Sequence, residues 1–275
     1  MNLLRRGSTP KPERTPEAVM TLTEHLAELR TRIIRCALAV ILGAILIMAL
    51  YNQVLRFLAR PYKEMCERRE PGFCAGFDGG DVTFLNLDPV AGLSTRISIA
   101  TFGGIMFAIP VIMWQIWKFV VPALKSNEKK YAVPFMTSSI SLFLLGGVLA
   151  YLTLGKALEF LISWAGEDVQ STYTITSYVR LVMLMVAAFG VGFQFPVLLV
   201  SFQFVGILTP QQLLGAWRYA IVGIVVMAAV ITPSGDPISL TALAAPMLLL
   251  YFIAAGIGLI AQRRRAATAE HAPVG

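Results

Sequence analysis

Apolar residues dominate the chain in long runs, and polar residues are gathered into the breaks between them. Ile33 to Tyr51, Ile97 to Val121, Ala132 to Leu154, Leu181 to Val205, Tyr219 to Ile231 and Ile238 to Ala261 are almost free of charge. A helix that crosses a bilayer needs roughly 20 apolar residues, and only the fifth run falls clearly short of that. Inside lipid the backbone must satisfy its own hydrogen bonds, so these runs are predicted to be helices and not strands. The expected fold is an all-α integral membrane protein with six transmembrane helices. A disordered basic tail is expected over residues 1–20, a membrane domain over 21–262 and a second tail over 263–275, after Arg263-Arg264-Arg265.

Shorter signals refine this outline. Thr21 and Glu24 have the spacing of a capping box. Leu22, Leu26, Leu29 and Ile33 then recur every three or four residues, which predicts an amphipathic helix at the inner surface running into the first span. Asn52 to Arg96, with Pro61, Pro71 and Pro89, reads as a long outer loop of the kind that more often caps or functions than simply connects. Trp114, Trp117, Lys118 and Phe119 form an aromatic and basic border suited to the headgroup region. Pro110 and Pro196 lie inside the second and fourth runs and predict kinks there. The fifth helix, Trp217 to Ile231, would reach only ~22 Å at 1.5 Å per residue, less than a ~30 Å hydrocarbon core, and would thin the bilayer locally. Pro233-Ser234-Gly235-Asp236-Pro237 predicts a tight turn and hence a hairpin of the last two spans. Kinked spans and a short hairpin suggest a concave wall.

Composition supports the membrane reading. Of the 275 residues, 56% are hydrophobic and 14% charged, roughly half the charged share of a soluble domain. The net charge of +7 raises nucleic-acid binding as a possibility, but its distribution argues against it. Most Lys and Arg fall in the breaks that would lie inside if the N-terminus is cytoplasmic, as the positive-inside rule requires. Six spans then place both termini inside. No internal repeat suggests two matching transporter halves, and no cleavable leader is visible, because the first apolar run begins only at Ile33 and is too long. Of three cysteines, Cys36 lies in the first span, whereas Cys66 and Cys74 share the outer segment. There they either form a disulfide or remain two free thiols, since spacing alone does not give their Cα separation.

Enzyme chemistry finds little support. The two histidines, His25 and His271, have no metal-ligand spacing. There is no GxxxxGK[ST] phosphate loop and no serine constellation at one membrane depth, and no cofactor is implied. A small-solute secondary transporter remains a rival reading. That class usually buries ionisable groups near the midplane, where this chain offers Gln194 and little else.

Four blocks carry a more specific signal: His25-Leu26-Ala27-Glu28-Leu29-Arg30-Thr31-Arg32; Phe119-Val120-Val121-Pro122-Ala123-Leu124 leading to Glu128; Phe189-Gly190-Val191-Gly192-Phe193-Gln194-Phe195-Pro196-Val197; and Thr232-Pro233 with Asp236. With six apolar runs around them, they make the chain resemble the TatC family, the multispanning receptor subunit of the twin-arginine protein translocase, from about Leu22 to Gln262. The resemblance implies that Glu28 and Glu128 receive the paired arginines of export signal peptides, with Arg30, Pro61, Phe119 and Pro122 as supporting positions. The plainer alternative for Glu28 is an i,i+4 pair with Arg32 worth ~0.2–0.5 kcal/mol, and for Glu128 a solvated loop charge beside Lys129 and Lys130. Gln194, Pro196, Tyr151 and Asp236 become candidates for contact with partner helices or the concave face. Gln194 stands where the family often has glutamate, and glutamine cannot ionise; its alternative is an interhelical hydrogen bond. Gly155-Lys156, where the family often has an aromatic residue and proline, implies a less kinked end to the third span. Implied partners are TatA- and TatB-like single-span subunits, twin-arginine signal peptides, the lipid bilayer and further copies of the chain. The implied energy source is the proton-motive force, and the implied location is the bacterial cytoplasmic membrane.

Overall fold

A computed structural model describes residues 22–68, 84, 89–120, 132–164 and 173–270. Leu22–Ala49 form a single helix, α1, so the amphipathic start and the first apolar run are continuous. Its closest neighbour is α3, Ala91–Val120. The two can approach because glycines face each other. A Cβ on Gly104 would lie 2.6 Å from the Ala44 nitrogen, and one on Gly43 would lie 2.8 Å from the Gly104 oxygen. The rest of α1 exposes Ile33, Leu38, Leu42 and Ile45. Such a surface is stable against lipid, where helix association depends on close packing and not on escape from water. Pro110, expected to kink the second run, lies inside the unbroken α3.

The segment after α1 departs from expectation. Tyr51–Glu67 form a helix, α2, where a loop from Asn52 was expected. Val54, Leu55, Leu58, Tyr62 and Met65 recur at helical spacing and pack on the core, while Arg60 and Glu64 pair at 2.7 Å on the open side. The apolar stripe therefore drives helix formation despite Pro61, which occupies the interior of α2.

Ala132–Ser163 form α4, which continues two turns beyond the apolar run and carries a Lys156–Glu159 ion pair at 3.1 Å. The fourth run is two helices, α5 (Ile175–Gly192) and α6 (Phe195–Val205). The expected kink at Pro196 is thus a break at Phe193–Gln194 followed by a restart. Proline is well tolerated in a first helical turn because its missing N–H would be unpaired there anyway. Gly206, at φ 84°, ends α6 in the left-handed conformation that favours glycine. A short α7, Pro210–Gly215, starts with a Thr209–Gln212 capping box.

Trp217–Ile231 form α8, as short as its sequence implied, and Pro237–Glu270 form α9. The predicted hairpin turn joins them, with Gly235 at φ 61°. Among the described residues, five helical stretches are long and apolar enough to cross a membrane and α8 is a shorter apolar helix. One core runs through α2, α4, α5, α8 and α9 around Tyr62, Phe189, Phe193 and Met247. A second gathers Trp117, Phe135, Val200 and Phe204 from α3, α4 and α6.

Candidate functional site

Glu28 and Arg32 lie one turn apart on α1 and form an ion pair. This is the local pairing that sequence spacing allowed, but Arg32 also reaches across to α3. Its guanidinium donates to the Lys118 carbonyl at 3.1 Å and to the Gln115 carbonyl and side-chain oxygen at 3.5 and 3.4 Å. The Lys118 carbonyl is in the last turn of α3, where the final carbonyls lack helical partners and the helix dipole favours a cation, and Gln115 lies one turn earlier. One oxygen of Glu28 holds Arg32, while the other, Oε2, is buried and has no hydrogen-bond partner among the described residues. Lys118 lies over the Trp114 ring at 5.1 Å, giving this end of the bundle the aromatic and basic edge read from the sequence.

Of the supporting positions, Phe119 lies at this same end of α3 and Arg30 is exposed on α1. Glu128 and Pro122 lie outside the described residues. Pro61 does not join the group. The Arg32 end of α1 meets the C-terminal end of α3, whereas Arg96 at the other end of α3 sits 4.6 Å from the Tyr51 ring, where α2 begins. Pro61 therefore belongs to the opposite end of the α1–α3 pair from Glu28. Its role there is readable: it has no N–H to give the Phe57 carbonyl four residues earlier, and the Tyr151 hydroxyl donates to that carbonyl at 2.8 Å. Tyr151 also stacks on Phe57, with centroids 4.5 Å apart. Nearby, burial pushes the Tyr62 phenol above its ordinary pKa, with Tyr173 adding to the shift.

At the break in the fourth run, Gln194 Nε2 donates to the Ser139 carbonyl on α4 at 3.0 Å, and the Ser139 hydroxyl accepts from Trp117 Nε1 at 2.8 Å. Gln194 is therefore engaged within the chain, as in the interhelical alternative, and its side chain is half-buried. Pro196 is buried in the first turn of α6. We expect Gln194→Leu to cost about 0.6–1.7 kcal/mol, read as a lower thermal midpoint in detergent with insertion intact. An unchanged midpoint would show that the Ser139 contact carries no stability.

Asp236, a candidate for contact with partner helices or the concave face, is fully buried within the chain. It accepts from the Ser239 N–H at 2.6 Å and from the Ser234 hydroxyl, so it caps the start of α9 and fixes the hairpin turn. Sequence reading missed Gln203. Buried in α6, it donates to the Ala254 carbonyl of α9 at 3.0 Å, and its side-chain oxygen fills the space that a Cβ on Gly258 would need. An amide within an apolar run was the available signal, the same one that drew attention to Gln194.

A bundle of apolar helices, polar chiefly at its ends and at one mid-run break, defines a polytopic helical membrane protein. The family model described as Sec-independent protein translocase protein (TatC) matches residues 24–246. A TatC protein of Xylanimonas cellulosilytica is 35% identical over 260 residues, 94% of this chain and 90% of the relative. One from Aquifex aeolicus is 34% identical over 90% of this chain and 98% of its own length. A crystal structure of a twin-arginine translocase receptor, TatC, superposes with a TM-score of 0.66 at 32% identity, covering 87% of this chain and all of the other. The chain belongs to the TatC family. That family is a translocase component and not a catalytic one, and the small-solute transporter reading gains no support from these relatives.

Proposed function

We propose that the chain is the receptor subunit of a twin-arginine translocase. It binds twin-arginine signal peptides at its cytoplasmic surface and nucleates transport of folded proteins across the bacterial cytoplasmic membrane, driven by the proton-motive force. TatA- and TatB-like single-span subunits and further copies of the chain complete the complex. Six spans, with α8 as the fifth, place both termini in the cytoplasm. The observation that carries this reading is the Glu28 carboxylate, already bonded to one guanidinium through one oxygen while the other is buried without a partner. It lies beside the end of α3, where the chain continues toward Glu128. Capture of the purified protein by an immobilised twin-arginine peptide, lost when both arginines are lysine, tests the reading. Equal capture by the two peptides would refute it.

In this topology α2 lies on the outer side, where disulfides persist. Cys66 is disulfide-bonded and Cys36 is a free thiol; the expected partner, Cys74, lies outside the described residues. We read the bridge as Cys66–Cys74. Thiol labelling of the denatured protein should modify one cysteine before reduction and three after it. Labelling of all three without reductant would exclude the bridge.

A further inference from the structure

Two cavities meet at Tyr151. The first is an apolar groove of about 460 Å³, bounded by Ile47 of α1, Phe57 of α2, Phe102 and Met106 of α3, and Gly147 of α4. The second, about 500 Å³, lies between α2 and α4 and is lined by Glu64, Arg68, Lys156 and Glu159. Tyr151 lines both. Its stacking on Phe57 and its hydrogen bond to the Phe57 carbonyl hold it at the boundary, the position amphipathic rings take between hydrocarbon and headgroups. Each volume falls within the ~300–1,000 Å³ typical of small-molecule sites.

The lining of the second cavity carries two acids, Glu64 and Glu159, and two bases, Arg68 and Lys156. Lys156 pairs with Glu159 at 3.1 Å, and Glu64 pairs with Arg60 through one oxygen at 2.7 Å. Arg68 is exposed and forms no ion pair among the described residues. A ligand that suits the whole space has an apolar chain, a phosphate for Arg68 and Lys156, and a cationic amine for the second oxygen of Glu64. We propose that this is a phospholipid site for one lipid with a phosphoethanolamine headgroup, its acyl chain in the groove and its headgroup between α2 and α4. A purely anionic headgroup would bring phosphate beside Glu64 and Glu159 without an amine to answer them. An apolar peptide segment would fill the groove but supply no phosphate. The site is independent of the signal-peptide reading.

Native mass spectrometry of the full chain, titrated with dioleoylphosphatidylethanolamine or dioleoylphosphatidylglycerol, tests this. The expected result is one retained phosphatidylethanolamine, at several-fold higher occupancy than phosphatidylglycerol at equal concentration. Arg68→Glu with Lys156→Glu should lower that occupancy at least fivefold, and the milder Arg68→Gln should lower it in part. Gly147→Phe should reduce retention of both lipids; a Cβ there meets only Val186 Cγ1 at 3.6 Å, so the larger ring enters the groove. Helical circular dichroism and a single elution peak would identify folded variants. Equal occupancy by the two lipids overturns the proposal, as does retention unaffected by the charge changes in folded protein. A groove that takes a signal peptide but retains no phosphatidylethanolamine belongs to the peptide and overturns it too.

Discussion

Changing Glu28 and Glu128 together to glutamine is expected to abolish the preference for Arg-Arg over Lys-Lys signal peptides. A guanidinium offers a carboxylate two parallel hydrogen bonds, a geometry lysine cannot reproduce. Two separate carboxylates would thus read a pair of arginines where simple attraction would read only charge. A charge-assisted contact contributes about 1.5–3 kcal/mol, less where water screens it. Glu28 is about a quarter exposed, so the lower half of that range applies. Each single change should weaken binding roughly ten- to fortyfold, at 1.4 kcal/mol per factor of ten. Glutamine keeps the size of the side chain and an oxygen that can still accept from Arg32, so the double variant should still insert and fold. Peptide binding by purified protein, measured with both signal types, checks the outcome. A folded double variant that keeps the original margin would place the arginine site elsewhere.

The second large effect is expected from Gly104→Leu. A Cβ at this position meets the backbone of α1, with the Ala44 nitrogen at 2.6 Å and the Val40 oxygen at 2.8 Å. Backbone cannot rotate aside as a side chain can, so the helices must separate. Overpacking typically costs about 1–3 kcal/mol, and this contact belongs at the upper end. Taking about 2–4 °C per kcal/mol for a chain of this size, the thermal midpoint in detergent should fall by roughly 5–10 °C. Gly92→Leu is the matched control, because it lies on the same helix and a Cβ there meets nothing within 4 Å. Equal midpoints for the two variants would show that α1 and α3 are not held by this approach. The change should also weaken signal-peptide binding, because the same contact sets Arg32 against Gln115 and Lys118.

Much of this architecture was legible in the sequence because the membrane imposes a long and simple code. The apolar runs became helices, the short Trp217–Ile231 helix matched its expected length, and the turn through Gly235 fell where proline and glycine indicated. Features written in weaker patterns were missed or misread. The stripe of α2 was obscured by charges and by Pro61, whose freed carbonyl finds its donor in Tyr151, 94 residues beyond Phe57. At the fourth run the sequence showed where the helix would be disturbed, but not that Pro196 would open a new helix. The Glu28–Arg32 pair followed from local spacing. Its extension to carbonyls more than 80 residues away did not, because it depends on how Gly43 and Gly104 set one helix against the other. Asp236 was noticed as a polar group at a turn, but its burial as the cap of α9 arises only when α8 and α9 pack.

If Glu28 receives a signal-peptide arginine as proposed, Arg32 also changes what an arriving peptide has to organise. A free glutamate samples several rotamers, and a ligand that needs one of them must suppress the others. Here Arg32, itself anchored on the end of α3, keeps the Glu28 carboxylate aimed before any guest appears. The ordering cost, about 0.5–1.5 kcal/mol for such a side chain, therefore falls on folding and not on recognition, and the binding surface meets its guest already set.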